Sequence, residues 1–190
     1  MAPKLPIYLD YNATTPVDER VLEAMLPFFS EDFGNPASRS HAFGWKAEAA
    51  VEVARQQLGE LIGASGREFF WATGATESNN LAITGACEMY RDRGRHVITC
   101  RTEHRAVLDV CAAIQQAGWQ VTYLPVDETG SLDAEQVEAA ITDQTALISI
   151  MAANNETGAL SPLAEIGQIA KQRGVLLHTD ATQAAGKIPL

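Results

Sequence analysis

The sequence predicts an α/β fold in which helices cover both faces of a mostly parallel sheet. Short apolar or β-branched runs alternate along the chain with longer segments of helical periodicity. The predicted strands are Phe69–Ala72, His96–Cys100, Val121–Val126, Ala146–Met151 and Val175–Thr179. The predicted helices are Gly44–Ile62, Glu77–Arg93, Arg105–Ala117, Ala134–Ile141 and Leu163–Arg173. Apolar strands that alternate with helices are typical of parallel sheets buried on both faces.

Residues that start or stop helices support these boundaries. Asp133 can cap the helix that follows it, and Pro162 opens the last predicted helix. Gly94, Gly118 and Gly174 each stand where a helix should end, because glycine readily adopts the left-handed conformation of a helix C-terminus.

The first forty residues differ from this pattern. Residues 1–16 contain three of the eight prolines and are predicted to form an extended N-terminal arm. A helix at about Asp18–Phe29 and a polar loop, Phe33–His41, follow. Residues 17–190 are predicted to be one large domain, and no helix follows Gly186–Leu190 to cover the last strand. We therefore expect that domain to be incomplete.

Composition and charge exclude several classes of function. Fourteen basic and 24 acidic residues give a net charge of −10, which disfavours nucleic acid or an anionic membrane as the main partner. The N-terminus lacks the apolar run of a secretory signal, and no stretch is apolar enough for a membrane span. Cys87, Cys100 and Cys111 are widely spaced, so neither a disulfide framework nor a metal site is predicted. A cytoplasmic protein with reduced thiols fits best.

The first candidate site is Thr73-Gly-Ala-Thr-Glu-Ser-Asn-Asn80, which follows a predicted strand and opens a helix. The free amides of Ala75, Thr76 and Glu77, with the positive end of the helix dipole, can bind a phosphate group. The alternative is a capping box, in which Thr73 or Thr76 pairs with a nearby acid and no ligand is needed.

The second candidate site is His178-Thr-Asp-Ala-Thr-Gln183, at the end of the last predicted strand. Asp180 could pair with a protonated ring nitrogen, because a carboxylate delivered into a crevice needs a cationic partner. Gln183 could reach the same ligand. Alternatively, Asp180 caps a short turn.

Two further loops follow predicted strands. Arg101-Thr-Glu-His104 brings His104 to the expected crevice, where an imidazole can stack on a flat ring or move protons, or can serve as a structural cap. Ala153-Asn-Asn-Glu-Thr-Gly158 carries two amides that could anchor a carboxylate or form Asx turns. Together, four ligand-capable loops are predicted at one edge of one sheet.

These motifs resemble, in order, those of cysteine desulfurases of the housekeeping and nitrogen-fixation branch. That branch lies within the class V aminotransferase superfamily of fold-type I enzymes dependent on pyridoxal phosphate (PLP). The resemblance covers Tyr8 to Pro189 and six motifs: Tyr8-Leu-Asp-Tyr-Asn-Ala-Thr-Thr-Pro16, Phe33-Gly-Asn-Pro-Ala-Ser-Arg-Ser-His41, Gly74-Ala-Thr-Glu-Ser78, Thr102-Glu-His104, Asn154-Asn-Glu156 and Asp180-Ala-Thr-Gln183.

The resemblance implies a role for each matching residue. Ala75 and Thr76 match residues that bind the PLP phosphate. His104 matches a histidine that stacks on the pyridine ring and is proposed to shuttle protons. Asp180 and Gln183 match the partners of the pyridinium nitrogen and of the phenolic oxygen. Asn155 matches a residue beside the cofactor and the substrate carboxylate.

The resemblance also implies an activity. Such enzymes convert L-cysteine to L-alanine as homodimers and pass the sulfur, held as a persulfide, to an iron–sulfur scaffold or another acceptor protein. Family members are about twice as long, and their N-terminal arm belongs to the small domain. Lys187 and the three cysteines do not match the Schiff-base lysine or the persulfide cysteine. We therefore expect the chain alone to be inactive. We also expect it to be poorly soluble, because its last strand leaves a sheet edge unpaired.

Two alternatives stay open at this point. One is another PLP enzyme of the superfamily, such as a selenocysteine lyase or a small-molecule aminotransferase. The other is a non-catalytic truncated product.

Overall fold

The computed structural model describes residues 5–189. Of these, residues 5–71 and Pro189 belong to one compact unit, and Ala72–Ile188 form the second. The elements in chain order are helices α1 (Glu19–Met25), α2 (Pro27–Ser30) and α3 (Ala42–Ile62), a 3₁₀ turn (Gly66–Glu68), α4 (Ala75–Tyr90), β1 (His96–Cys100), α5 (Arg105–Gln116), β2 (Gln120–Leu124), α6 (Ala134–Ala140), β3 (Thr145–Ser149), α7 (Leu163–Arg173) and β4 (Leu176–His178).

The helix predicted at Asp18–Phe29 is two helices. Asp18 caps α1 by accepting a hydrogen bond from the Arg20 amide at 2.9 Å. The first helix ends at Met25 with Leu26 as its C-cap, because Pro27 has no N–H to donate and its ring favours the first position of a helix. The arm predicted for residues 1–16 contains no helix or strand among residues 5–16, and residues 1–4 lie outside the described part.

The predicted strand Phe69–Ala72 is wrong. These residues form no strand, although the backbone of Phe69 is extended, and Phe70 is 84% exposed. A strand needs a neighbour for its backbone groups, and none pairs with this segment among the described residues. Within its own unit, the Arg55 guanidinium instead donates to the Phe69 carbonyl and lies 5.2 Å from the Trp71 ring centre.

The other four predicted strands are present and form one parallel sheet in the order β2-β1-β3-β4. All five residues of β1 and of β3 are buried, as expected for central strands. The edge strands β2 and β4 are only partly buried.

Helices cover both faces of this sheet, which confirms the predicted fold class. On one face, Val97 and Leu147 pack against Ile83 of α4 and Val107 of α5. Strand residues alternate between faces, so their neighbours Ile98 and Ile148 pack on the other side. There they join a second cluster with residues of α6 and α7, including Val137, Ile166 and Ala170.

The strand order places a topological switch between β1 and β3. The chain leaves β1 toward β2 on one side and leaves β3 toward β4 on the other. Because all four strands are parallel, their carboxyl ends lie along one edge of the sheet. Ligands of open α/β sheets bind outside the carboxyl ends of strands at such a point.

No helix within residues 5–189 combines the length and apolar character needed to cross a bilayer. The domain boundary predicted after residue 16 stays a prediction.

Gly94 allows the chain to enter β1, and its substitution should destabilise the fold. A Cβ added at Gly94 would lie 2.2 Å from the Gln144 carbonyl oxygen, a backbone atom that cannot rotate away. We expect Gly94→Ala to lower the free energy of unfolding by about 1–3 kcal/mol. Gly85→Ala is the control, because a Cβ there meets nothing within 4 Å and α4 should gain about 0.5–1 kcal/mol. Urea unfolding followed by circular dichroism checks both, and equal midpoints for the two variants would contradict the packing at Gly94.

Candidate active site

The candidate site lies at the carboxyl edge of the sheet, within the second unit. Three loops emerge there, after β1, β3 and β4, and they carry His104, Asn155 and Asp180. The start of α4 joins them, because its Asn79 side chain contacts Asp180. The structure therefore brings all four predicted loops to the same edge, although the strand predicted before the first of them is absent.

The N-terminus of α4 presents backbone amides without helical partners. The first amide bonded back into the helix is that of Ser78, which donates to the Gly74 carbonyl at 3.1 Å. The amides of Ala75, Thr76 and Glu77 precede it and have no acceptor within α4. Gly74 occupies the N-cap and supplies no side chain to cap them. A phosphate group could accept from these amides.

The alternative predicted for this segment is also present in part. Glu77 accepts hydrogen bonds from the amide and the hydroxyl of Thr73, at 2.6 and 2.7 Å. These bonds hold the pKa of Glu77 below its usual value. They join Thr73 to the first turn of α4 and leave the amides of Ala75 and Thr76 without a side-chain partner. Capping and phosphate binding are therefore compatible here.

Asp180 is a buried, well-anchored carboxylate just after β4. It is 8% exposed. One oxygen accepts from the Thr182 amide and hydroxyl, at 2.9 and 2.6 Å, and the other accepts from the Asn79 amide at 2.7 Å. Burial alone would raise the pKa of Asp180, but the hydrogen bonds from Thr182 and Asn79, with the nearby His178, hold it below its usual value. The group stays ionised at neutral pH.

Asn79 is a residue of the candidate site that the sequence analysis did not single out. It lies one turn along α4 from Ala75 and Thr76, so it faces the same side of that helix. It is 4% exposed, and its contact with Asp180 bridges 101 positions in sequence. Its position at i+4 from Ala75 was the available signal, but only the fold shows that this side chain meets Asp180.

His104 is both a helix cap and an available ring. Its Nδ1 accepts a hydrogen bond from the Ala106 amide at 3.1 Å, which caps α5. An accepting Nδ1 places the proton of the neutral ring on Nε2. The side chain is exposed, so the cap leaves the ring face and Nε2 free. The structural role predicted as an alternative is therefore present and leaves the ring free to stack, whereas proton uptake at Nδ1 would require the cap to break.

The two asparagines of the loop after β3 differ in their hydrogen bonds. Asn154 makes an Asx turn, because its oxygen accepts from the amides of Glu156 and Thr157 at 2.9 Å each. Its amide group donates to the Thr102 carbonyl at 2.9 Å and so joins this loop to the one after β1. Asn155 is half-buried and has no hydrogen-bonded partner among the described residues. It is the one of the pair that is free to contact a ligand.

Gln183 follows Asp180 on a turn and is half-buried. Its oxygen accepts from the Lys187 ammonium at 3.2 Å. This contact gives Lys187 a local partner, and the expectation that it is not the cofactor-bearing lysine stays a prediction. Among residues 5–189, no hydrogen bond joins His104 to Asp180, Gln183 or Asn155, so these side chains lie at one edge of the sheet without being hydrogen-bonded to one another.

These groups fit a phosphorylated pyridine ring. Free amides at a helix N-terminus suit the phosphate, a buried ionised carboxylate suits a ring nitrogen that carries a proton, and an exposed imidazole suits a flat ring. Asn79 links the first two features, because it belongs to α4 and bonds Asp180. In the part of the chain that the structure describes, no group of three His, Cys, Asp or Glu residues is placed to hold a metal ion.

The three cysteines should be unreactive in the folded protein. All are buried and free, and burial raises the pKa of Cys87 to about 11 and of Cys111 to about 12. The thiolate is the nucleophile, and the raised pKa values of Cys87 and Cys111 leave very little of it at pH 8. We expect fewer than one thiol per chain to react with a maleimide under native conditions, and three in denaturant. Rapid native labelling of any of the three, located by mass spectrometry, would contradict this.

Comparisons with known proteins agree with the fold and the motif order. The family model for aminotransferase class-V matches residues 7–190. A cysteine desulfurase IscS from Anaeromyxobacter sp. strain Fw109-5 is 58% identical over 186 residues, which are 98% of this chain and 46% of that protein. The corresponding protein of Rickettsia felis is 55% identical over 188 residues, 99% of this chain and 46% of that protein.

Solved structures give the same result. A NifS-like protein superposes with a TM-score of 0.91 at 41% identity, over 97% of this chain and 51% of that one. A structure described as SspA in complex with cysteine gives 0.88 at 41% identity, over 93% of this chain and 51% of that one. The predicted PLP-transferase fold is thus confirmed. The chain spans about half the length of the curated relatives that it matches, and it belongs to the aminotransferase class-V family.

Proposed function

We propose that this chain provides the cofactor-binding part of a PLP-dependent cysteine desulfurase, which converts L-cysteine to L-alanine and holds the sulfur as a persulfide. The observation that carries the proposal is the Asn79–Asp180 hydrogen bond of 2.7 Å. It ties a buried carboxylate to the helix whose first amides are free. Phosphate and ring-nitrogen recognition are thereby held about one helical turn, or ~5 Å, apart along α4.

Each predicted residue has a proposed task. The amides of Ala75 and Thr76 donate to the phosphate, and the carboxylate of Asp180 pairs with the protonated ring nitrogen. His104 lies against the ring, and Gln183 donates to the phenolic oxygen from its amide NH₂ group, which the Lys187 contact to its oxygen leaves free. Asn155 lies beside the cofactor and the substrate carboxylate. When bound, PLP supplies an electron sink for the bonds next to the amino acid's α-carbon.

Two of these residues control protons. Asp180 stays ionised because three donated hydrogen bonds offset its burial, so it keeps a proton on whatever cationic nitrogen it faces. His104 in its neutral form carries its proton on Nε2 and can donate a hydrogen bond there, whereas it can take up a second proton only at Nδ1, after the contact with the Ala106 amide is broken. Removal of that amide contact would let the imidazole change tautomer.

Cysteine is the proposed substrate, and two facts about relatives support it. The relatives with the highest identities quoted above are named cysteine desulfurases, and one structural neighbour is described as a complex with cysteine. We propose an iron–sulfur scaffold or another acceptor protein as the recipient of the sulfur. A homodimer, a cytoplasmic location and the assignment of residues 1–16 to a small domain belong to the same proposal.

The chain alone is proposed to be inactive. Its three cysteines are buried in the second unit, and the Lys187 ammonium bonds Gln183. None of these groups is presented as a mobile nucleophile or as an amine free to hold the cofactor.

Cofactor binding by the native protein from its source tests the proposed site. We expect PLP to bind, pyridoxal without the phosphate to bind at least tenfold more weakly, and Asp180→Asn to shift the absorption maximum of the bound cofactor. Asp109→Asn is the matched control, because Asp109 is an exposed acid of α5 with no role in the site. Equal affinity for PLP and pyridoxal would overturn phosphate recognition by α4.

A further inference from the structure

Glu103 is a buried acid that the proposed chemistry does not use. It lies between Thr102 and His104 in the loop after β1 and is 5% exposed. Its Oε1 accepts a hydrogen bond from the Met151 amide at 2.7 Å, which ties that loop to the end of β3. Its other oxygen, Oε2, is buried and has no hydrogen-bond partner among the described residues.

A second contact joins the same two loops. The Asn154 amide group donates to the Thr102 carbonyl at 2.9 Å. Glu103 and Asn154 therefore form two crossings of the gap between the loops after β1 and β3, which is the topological switch point of the sheet. His104 follows directly, and its backbone direction depends on where this clasp holds Thr102 and Glu103.

The surroundings of Glu103 disfavour a negative charge. Asp180, from the end of β4, is an ionised carboxylate close enough to raise the pKa of Glu103. Glu103 in turn is close enough to Cys111 of α5 to raise the pKa of that thiol. The Met151 amide is the one group that lowers the pKa of Glu103. Burial dominates and raises the pKa of Glu103 to about 8, so the group carries a proton at neutral pH. His178, the nearby base, bonds Ser149 and not Glu103.

We propose that Glu103 is a positioning residue: a neutral buried carboxyl that clasps the loop after β1 to the end of β3 and so sets the place of His104 over the cofactor site. The part that concerns His104 rests on the proposed function, whereas the clasp does not. With Oε1 occupied by Met151, the proton is held on Oε2. Loss of that proton would leave a buried charge beside Asp180, and the loop would have to open to hydrate it.

The unchanged protein and three variants separate the effect of the charge of residue 103 from the effect of its shape. Glu103→Gln keeps an acceptor for the Met151 amide and stays neutral at every pH. Glu103→Leu removes the acceptor but keeps a side chain of similar size. Glu156→Gln is the matched control, since Glu156 is an exposed acid of the loop after β3.

The first experiment contains no cofactor. Hydrogen exchange of the Met151 amide, corrected for the intrinsic effect of pH, should be at least tenfold faster in Glu103→Leu than in the unchanged protein. It should change less than twofold in Glu103→Gln and Glu156→Gln. In the unchanged protein, exchange at this amide should accelerate above pH 8, and in Glu103→Gln it should not. This pH arm also tests the clasp if Glu103→Leu fails to fold.

Equal protection of Met151 in Glu103→Leu and Glu103→Gln, or no acceleration above pH 8, would overturn the clasp. The second experiment adds PLP, and we expect its affinity to fall at least tenfold in Glu103→Leu and less than threefold in Glu103→Gln. If the Met151 amide exchanges faster in Glu103→Leu as expected but both variants bind PLP with equal affinity, the positioning of His104 is overturned. Absence of PLP binding in every form would overturn the proposed function and leave the clasp standing.

Discussion

Asp180→Asn in the native protein should lower the proposed turnover of L-cysteine by roughly 10²–10⁴-fold, because breaking a buried charge pair costs about 3–5 kcal/mol. Asparagine keeps an oxygen that can accept from the Thr182 amide and hydroxyl. Its amide group, however, would face the amide of Asn79, which now donates to Asp180. The variant therefore loses both the negative charge that would pair with the ring nitrogen and one anchor of the loop. Steady-state alanine formation from cysteine measures the effect.

The control for this prediction separates charge from folding. Asp180→Asn should unfold within about 1–3 kcal/mol of the unchanged protein, the cost of a buried hydrogen bond left unmade. Asp109→Asn should change neither turnover nor stability measurably, because that side chain is exposed. Turnover in Asp180→Asn within threefold of the unchanged protein would show that the carboxylate does not pair with the reacting group.

Glu103→Gln should flatten the dependence of stability on pH between about pH 5 and 8. The pKa of Glu103 is raised from 4.5 to about 8 in the folded chain, chiefly by burial. Between these values the folded state holds a proton that the unfolded state has released, so stability falls as pH rises. The slope is about 1.4 kcal/mol per pH unit for a single group. The contribution is full below pH 4.5 and is lost as pH rises through about 8.

Other groups titrate in or near this window, and their signs differ. Burial lowers the pKa of His178 and of His96, so these histidines contribute stability that is present above their usual value and lost as pH falls. The pKa of Asp180 is lowered, so its contribution is lost only in more acidic solution, below its usual value of 3.8. The difference between the unchanged protein and Glu103→Gln at each pH cancels these common terms. Urea unfolding at five pH values gives that difference.

A difference that does not vary with pH between 5 and 8 would mean that Glu103 is already ionised in the folded protein. In that case the unpaired Oε2 would be hydrated. Below about pH 5, the opposite sign, with the unchanged protein gaining stability relative to Glu103→Gln as pH rises, would mean that a cation pairs with Glu103 and lowers its pKa.

Local sequence signals predicted the elements whose ends are set by residues next to them in the chain. Leu163–Arg173 was predicted with both ends correct, because Pro162 precedes the helix and Gly174 closes it with φ 66°. Phe69–Ala72 was predicted wrongly, since its apolar pattern says nothing about whether another strand lies beside it. Asp18–Phe29 was divided by Pro27, a residue whose effect on a helix is readable from sequence.

The site was predictable as a set of loops and not as a set of contacts. His104, Asp180 and the start of α4 could be placed at one edge because each follows, or opens beside, an element of a parallel sheet. Asn79 and Glu103 were missed because their importance depends on partners 101 and 48 positions away. At Thr73, His104 and Asn154, the structural contacts predicted as alternatives are present. They coexist with the proposed functions of the site, so the two interpretations do not exclude each other.

The most direct test of the central claim is product analysis with the native protein purified from its source, supplied with PLP, L-cysteine and a thiol reductant. The account predicts alanine and sulfide in equal amounts, from a native chain whose mass is near twice 20.5 kDa. Pyruvate and ammonia in place of alanine, transfer of the amino group to a keto acid, or turnover of selenocysteine but not of cysteine would each contradict the desulfurase assignment. A native chain of 20.5 kDa that forms no product would show that these residues do not serve an enzyme in this protein.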